Sequence, residues 1–246
     1  MCERCGNAQH EGGVSRRDFL WSGALVALAA WRAGATSAAE PAAAGAPPTP
    51  NAISPAEALG RLMEGNARYA ANMPNQRDFS SGRAARVQAQ YPIAAILSCA
   101  DSRVAPEFAF DQGPGDLFVV RVAGNSVNPD LLASLEYGVQ LLGVPLLVVL
   151  GHTGCGAVAA AIKVVQSDAV LPGHLPELID AIKPAVLAAQ QSASGNLLDE
   201  AIIENVRRQV ARLKNSPPVI QKFYADRKID IVGGVYDLAT GKIALV

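Results

Sequence analysis

The chain has 246 residues, half of them hydrophobic, and carries a formal net charge of −1. This length allows one α/β domain of roughly 200 residues with a sizeable core. The balanced charge argues against nucleic acid as a partner, because nucleic-acid-binding proteins present a basic patch. Composition therefore excludes one class of partner and indicates no activity, so function has to be inferred from short motifs.

The N-terminal residues resemble an export signal. Ser15-Arg16-Arg17-Asp18-Phe19-Leu20 matches the twin-arginine pattern, and an apolar run follows from Trp21 to Trp31. That run is too short for a membrane span of about 20 residues, so we expect a cleaved signal over 1–39 and no stable membrane insertion. The Pro- and Ala-rich residues 40–53 are interpreted as a linker and 54–246 as the folded domain. The expected location is the periplasm, reached by the twin-arginine route.

Cysteine usage leaves two alternatives. Cys2 and Cys5 precede the signal and would be lost with it, so the mature chain keeps Cys99 and Cys155. In an oxidising periplasm these two residues could form a disulfide. They could instead bind a metal, and the two roles exclude each other. Twin-arginine transport carries folded proteins, so a metal bound before export would protect the thiols.

The apolar pattern predicts alternating helices and strands in the folded domain. A helix is expected from the N-cap Ser54 to about Ala71, because Pro55 and Glu57 suit the first turn. Its charged residues are interpreted as a solvated face, namely Glu57, Arg61, Glu64 and Arg68. Further helices are predicted within 77–90, at 129–142, at 157–166, in parts of 176–190 and at 197–213. Strands are predicted at 93–98, 117–122, 146–150, 229–236 and 243–246. This alternation predicts an α/β fold, with a mainly parallel β-sheet flanked by helices on both faces.

Two motifs follow predicted strands of this sheet. They are Cys99-Ala100-Asp101-Ser102-Arg103 and Gly151-His152-Thr153-Gly154-Cys155-Gly156. Because ligand sites form beyond the carboxyl ends of parallel strands, Cys99, His152 and Cys155 can meet there. Two thiolates and one imidazole suit zinc, and three protein ligands leave the fourth position for water or for Asp101. The sequence thus predicts a catalytic zinc site.

Asp101 and Arg103 extend the predicted site. Zinc bound by two thiolates and one neutral imidazole is formally neutral, so its water needs help to ionise near pH 7. An ionised Asp101 can accept a hydrogen bond from that water, and Arg103 can hold the carboxylate in a charge-assisted pair. If Arg103 released it, Asp101 could bind the zinc and close the fourth position.

These motifs resemble those of the β-class carbonic anhydrases, and the resemblance spans most of 54–246. The segment Phe118 to Asn125 matches a strand end of the family, with Val122 in place of the usual Asn. Gln90, Phe118 and Tyr137 match the plant-like subtype, whose glutamine reaches into the site of the partner subunit. The other subtype carries a Trp where this chain has Ile96, so the resemblance implies a zinc site without control by bicarbonate.

The resemblance implies reversible hydration of CO2 to bicarbonate and a proton, by hydroxide bound to one zinc ion per chain. It gives Gln90 a hydrogen bond to substrate, Phe118 and Tyr137 an apolar lining, and the N–H of Gly156 a substrate contact. It also implies a homodimer or a higher homo-oligomer. Two alternatives remain: a hydrolase of carbonyl sulfide or carbon disulfide on the same fold, and a non-catalytic binding module with structural zinc. Asp101, Arg103 and Gln90 argue against the second, because a structural site has no use for them.

Overall fold

The structure is a computed structural model that describes residues 49, 51–80, 82–192 and 195–246. The predicted export signal, and all of the predicted linker up to residue 48, lie outside these residues. The helices are α1 (Pro55–Ala70), α2 (Arg83–Gln88), α3 (Pro106–Ala109), α4 (Pro129–Gln140), α5 (Gly156–Ser167), α6 (Leu175–Asp180), α7 (Lys183–Ser192), α8 (Leu197–Lys214) and α9 (Val219–Ala225). The strands are β1 (Ala94–Ser98), β2 (Leu117–Arg121), β3 (Leu146–His152), β4 (Asp230–Tyr236) and β5 (Ile243–Leu245).

The strands form one sheet in the order β2-β1-β3-β4-β5. The first four strands of that order run parallel, and β5 pairs antiparallel with β4. β1 and β3 are buried at every residue, as expected for apolar strands in the middle of a sheet covered on both faces. The prediction of a mainly parallel α/β fold is therefore confirmed.

Alternate residues of the central strands face two different cores. Leu97 and Val149 belong to a cluster that α4, α8 and α9 complete. Ile96 and Val148 belong to a second cluster, formed with α1 and α3 on the opposite face. This division follows from the two-residue period of a strand, which sends neighbouring side chains to opposite sides of the sheet.

The N-terminus of α1 has the predicted cap. The Glu57 N–H donates to Ser54 Oγ over 3.1 Å, and Arg61 pairs with Glu57 at 2.7 Å on the exposed face. The interpretation of Arg68 as a member of that solvated face was wrong. Its Nε donates to Asp111 Oδ2 over 2.6 Å, so it belongs to an ion pair with a carboxylate that is fully buried.

Asp111 joins α1 to the segments around it. Arg77 Nη1 lies 2.5 Å from Asp111 Oδ1, and the Asn75 N–H donates to both carboxylate oxygens at 3.2 Å. Burial raises the pKa of Asp111, but the hydrogen bonds from Arg68 and Arg77 outweigh it, so the pKa falls below its usual value. The charged cluster thus fixes the chain after α1 against the end of α3.

Several boundaries differ from the sequence prediction. β3 continues two residues beyond the predicted end, because Gly151 and His152 pair in register with Val235 and Tyr236 of β4. Helices α3 and α9 were not predicted, since four and seven residues carry too little periodicity. In the part of the chain that the structure describes, none of the helices combines the length and apolarity needed to cross a membrane.

Candidate metal centre

The three predicted ligands meet beyond the carboxyl ends of two neighbouring strands. His152 is the last residue of β3, Cys99 directly follows β1, and Cys155 is the N-cap residue of α5. Their ligand atoms all lie within 4.8 Å of one another. All three residues are buried, with exposed fractions of 4% for Cys99, 0% for His152 and 1% for Cys155. The structure therefore brings together a sulfur, nitrogen and sulfur donor set away from bulk water.

The turn between His152 and Cys155 is shaped by its neighbours. Gly154 has φ +65°, a conformation that glycine adopts without steric cost. The Thr153 N–H donates to Tyr236 O over 2.9 Å, and Thr153 Oγ1 accepts from the Leu238 N–H over 3.0 Å. The turn is thus tied to the end of β4, which holds both ligands at fixed positions.

The hydrogen bonding of His152 fits a metal ligand. Its Nδ1–H donates to the Thr153 carbonyl over 2.9 Å, which leaves Nε2 as the free nitrogen. Nε2 is buried and has no hydrogen-bond partner among the described residues. Buried polar atoms rarely lack a partner, and a metal ion would supply one. The donor set and the unpartnered nitrogen together fit zinc.

The two cysteines are free thiols, so the disulfide alternative does not describe this structure. A hydrogen bond from Cys155 lowers the pKa of Cys99 to about 4, against the effect of burial, and the Gly124 N–H adds to the lowering. The pKa of Cys155 is raised, because its proton is donated to Cys99 and because it is buried. Zinc binds both sulfurs as thiolates, so its binding would release the thiol proton.

Asp101 lies beside the three ligands and is held by Arg103. Arg103 donates three hydrogen bonds to it, from the backbone N–H and Nε to Oδ1, both at 2.9 Å, and from Nη2 to Oδ2 at 2.8 Å. Asp101 Oδ2 lies 3.8 Å from His152 Nε2. Hydrogen bonding from Arg103 holds the pKa of Asp101 well below its usual range, although burial acts in the opposite direction. The structure therefore has Asp101 in its Arg103-paired arrangement, outside the three-residue ligand group.

Arg121 is a functional candidate that the sequence analysis missed. Its Nε donates to the Cys99 carbonyl over 3.0 Å, and its Nη2 donates to the carbonyls of Asp101 at 2.8 Å and Val104 at 2.7 Å. Arg121 ends β2 and pairs in register with Ser98. The signal was present in the sequence, since an arginine at the end of a strand next to β1 can reach the loop that follows β1. One guanidinium thus supports the backbone of the loop that carries a ligand and the charged carboxylate.

The predicted substrate residues divide into two groups. Gly156 directly follows Cys155 and faces open space, since a Cβ there would meet nothing within 4 Å. Phe118 and Tyr137 stack on each other, with ring centroids 6.2 Å apart, and Tyr137 is 46% exposed. Phe118 pairs with Ala95, about 10 Å along the sheet from the ligand end, and the exposed Gln90 precedes the start of β1. Within one chain, the structure brings only Gly156 to the metal centre.

Comparison with known proteins identifies the family. The family model described as carbonic anhydrase matches residues 94–243, which contain the three ligands, Asp101 and Arg121. A carbonic anhydrase of Mycolicibacterium smegmatis is 39% identical over 192 residues, which cover 78% of this chain and 93% of that protein.

Solved structures agree with this assignment. A Coccomyxa β-carbonic anhydrase in complex with acetazolamide has a TM-score of 0.61 at 27% identity, covering 76% of this chain and 86% of that one. Tetrameric β-carbonic anhydrases from Sordaria macrospora share the fold, with a TM-score of 0.61 at 24% identity, covering 77% of this chain and 97% of that one. The chain therefore belongs to the β-class carbonic anhydrase family.

Proposed function

We propose that the protein catalyses the reversible hydration of CO2 to bicarbonate and a proton, with zinc held by Cys99, His152 and Cys155. The observation that carries this proposal is the buried, unpartnered His152 Nε2 beside two free cysteines, with an ionised carboxylate 3.8 Å away. Zinc at this position supplies a nucleophile, because it lowers the pKa of a bound water toward neutrality. Family membership supports this activity.

Asp101 keeps a hydrogen-bond acceptor in a fixed place. Its lowered pKa leaves it ionised at neutral pH, so it can only accept hydrogen bonds there. Arg103 occupies both of its oxygens and limits its rotation. The carboxylate thus orients the O–H group that approaches CO2. A structural zinc site would not need an oriented acceptor at this position.

The start of α5 offers a place for the anionic product. Gly156 is the first residue of this 12-residue helix. The N–H groups of the first turn have no carbonyl partner within their own helix. Unpaired N–H groups and the helix dipole favour negative charge at this end. We assign the Gly156 N–H to an oxygen of the substrate, where it would stabilise charge that develops on bicarbonate.

The plant-like subtype and a homodimer, or a higher homo-oligomer, belong to the same proposal. Gln90 and Tyr137 are exposed, and Phe118 stacks on Tyr137 far from the ligands of its own chain. These three residues are therefore assigned to the site of a partner subunit. The buried Ile96 takes the position of the Trp that marks the other subtype, which supports an open site without bicarbonate control.

Mixed oligomers test the shared site. One chain carries Asp101→Ala and the other carries Gln90→Ala with Tyr137→Ala, and the two are unfolded together and reassembled. If the residues complete the partner's site, mixed dimers contain one intact site, and activity exceeds that of either parent. Activity equal to the average of the two parents would show that each chain completes its own site.

Stopped-flow hydration of CO2 by the zinc-loaded mature chain tests the reaction. Wild type is expected to exceed the uncatalysed rate, and Asp101→Ala should lose about 100-fold or more in kcat while keeping its zinc. Asp226→Ala is the matched control, because Asp226 is an exposed partner of Lys222 in a surface pair. Zinc-loaded wild type without activity above background would contradict the proposal.

We also propose export to the periplasm by the twin-arginine route. The support is the sequence of residues 15–20 and the short apolar run after it. Cell fractionation should find the protein in the periplasm, shortened by about 39 residues, with the precursor retained when Arg16 and Arg17 are both replaced by Lys. Periplasmic protein from that double variant would count against this route.

A further inference from the structure

A chain of buried amides connects α8 to the metal centre. Asn205 and Gln209 are polar residues of α8, yet only 1% and 4% of their surfaces are exposed. Gln209 Nε2 donates to Asn205 Oδ1 over 3.3 Å, and Asn205 Nδ2 donates to the Gly124 carbonyl over 2.8 Å. Burying two amides is costly unless their hydrogen bonds are made, so this arrangement calls for a physical reason.

Gly124 contacts a predicted zinc ligand directly. Its N–H donates to Cys99 Sγ over 3.3 Å. Its φ is +76°, and a Cβ there would lie 2.4 Å from Ile182 Cδ1, so only glycine fits. Glycine also leaves the backbone free to rotate when nothing holds it. Gly124 lies in the loop between β2 and α4, residues 122–128. Its N–H therefore keeps its direction toward the sulfur only if the rest of this loop is fixed.

The amides of α8 hold both ends of that loop. Asn205 donates to the carbonyl of Gly124, the same residue whose N–H contacts Cys99. Gln209 Oε1 accepts from the Val127 N–H over 3.0 Å, three residues further along the chain. All four polar side-chain atoms of Asn205 and Gln209 are therefore hydrogen-bonded, either to the loop or to each other. The buried amides thus act as a template for the loop.

We propose that Asn205 and Gln209 are positioning residues of the metal centre, because they fix Gly124 so that its N–H donates to the Cys99 thiolate. This hydrogen bond stabilises the negative sulfur and fixes its direction toward the metal. The inference rests on zinc binding at the three ligands. It extends the site beyond its immediate neighbours to the helix that packs behind β3 and β4.

The test compares variants of the full zinc-stripped chain. Asn205→Leu removes the amide and keeps a similar volume, and Gln209→Met removes the second amide. Leu213→Ala is the matched control, because Leu213 is fully buried on the same helix and its apolar side chain makes no hydrogen bond to either amide. Zinc affinity is measured by competition with a chromophoric chelator, stability by denaturation of the metal-free protein, and the sulfur environment by the spectrum of the Co²⁺-substituted protein.

Asn205→Leu is expected to lower zinc affinity about 10-fold, the usual loss when an outer contact of a metal ligand is removed. The sulfur-to-cobalt charge-transfer band should shift to lower energy, because a thiolate without its hydrogen bond is easier to oxidise. Gln209→Met should cause a smaller change in the same direction, and it also serves as the test if Asn205→Leu does not fold. Leu213→Ala should reduce stability without changing affinity or spectrum.

Wild-type affinity and an unshifted cobalt band in both amide variants would overturn the proposal and leave the amides a structural role only. Failure of the proposed function would look different. In that case wild type itself would bind zinc weakly or, with zinc bound, would not hydrate CO2.

Discussion

Replacing Arg121 by methionine is the sharpest test of how the loop after β1, which carries Cys99 and Asp101, is held in place. The change removes three hydrogen bonds from one guanidinium to the carbonyls of Cys99, Asp101 and Val104. Each such bond contributes about 1 kcal/mol net, and Arg121 is exposed, so water can replace part of what is lost. We therefore expect the free energy of unfolding to fall by about 2 kcal/mol.

The functional effect should exceed the effect on stability. Cys99 and Asp101 belong to the loop that Arg121 supports, so both the ligand and the oriented carboxylate would shift. Loss of an outer contact of this kind costs about 10–100-fold in metal affinity or activity. Arg121→Lys should fall between wild type and Arg121→Met, because one ammonium group cannot span three carbonyls as the planar guanidinium does.

Zinc competition, denaturation and stopped-flow hydration measured together provide the assay. Arg61→Met is the control, since it also removes an arginine but breaks only an exposed pair with Glu57, in which both side chains are nearly half exposed. That control should change stability by less than about 0.5 kcal/mol and leave zinc affinity unchanged. If Arg121→Met binds zinc within twofold of wild type and keeps its kcat, the idea that Arg121 supports the loop is refuted.

Three further predictions concern acid stability, metal removal and backbone packing. The pKa of Asp111 is lowered in the folded chain, so its contribution to stability is present above the unfolded value of about 3.9 and is lost as the pH falls through the folded value. Denaturation between about pH 2 and pH 5, which spans the unfolded value and the range below it, should therefore show a shallower acid loss for Asp111→Asn than for wild type, and an unchanged slope would contradict this. Removing zinc with a chelator should lower the Tm and make the two thiols reactive, and adding zinc back should reverse both; equal thiol reactivity with zinc bound would exclude them as ligands. In Gly151→Ala, the new Cβ would lie 2.6 Å from Val206 Cγ2, so chemical denaturation should show a loss of about 1–3 kcal/mol, and wild-type stability would mean that α8 yields without cost.

Sequence reasoning succeeded where short segments carry their own signal. The apolar runs that became β1 and β3 predicted central strands, because a strand covered on both faces needs no polar side. The cap at Ser54 was also predictable, since the residues that make it are adjacent. It failed for Arg68, whose buried partner Asp111 lies 43 residues away and gives no local pattern.

At the site, local sequence motifs were enough to predict the zinc ligands and the Asp101–Arg103 pair. Each of these residues lies at or just after the carboxyl end of an apolar strand, and parallel strands have their carboxyl ends at one edge of the sheet. Their surroundings became visible only once the chain was folded, because they come from distant segments. Arg121 reaches the ligand loop from β2, and Asn205 reaches Gly124 from a helix 81 residues further along the chain. Such contacts depend on how strands and helices pack against one another, and the periodicity of a single helix or strand does not predict that packing.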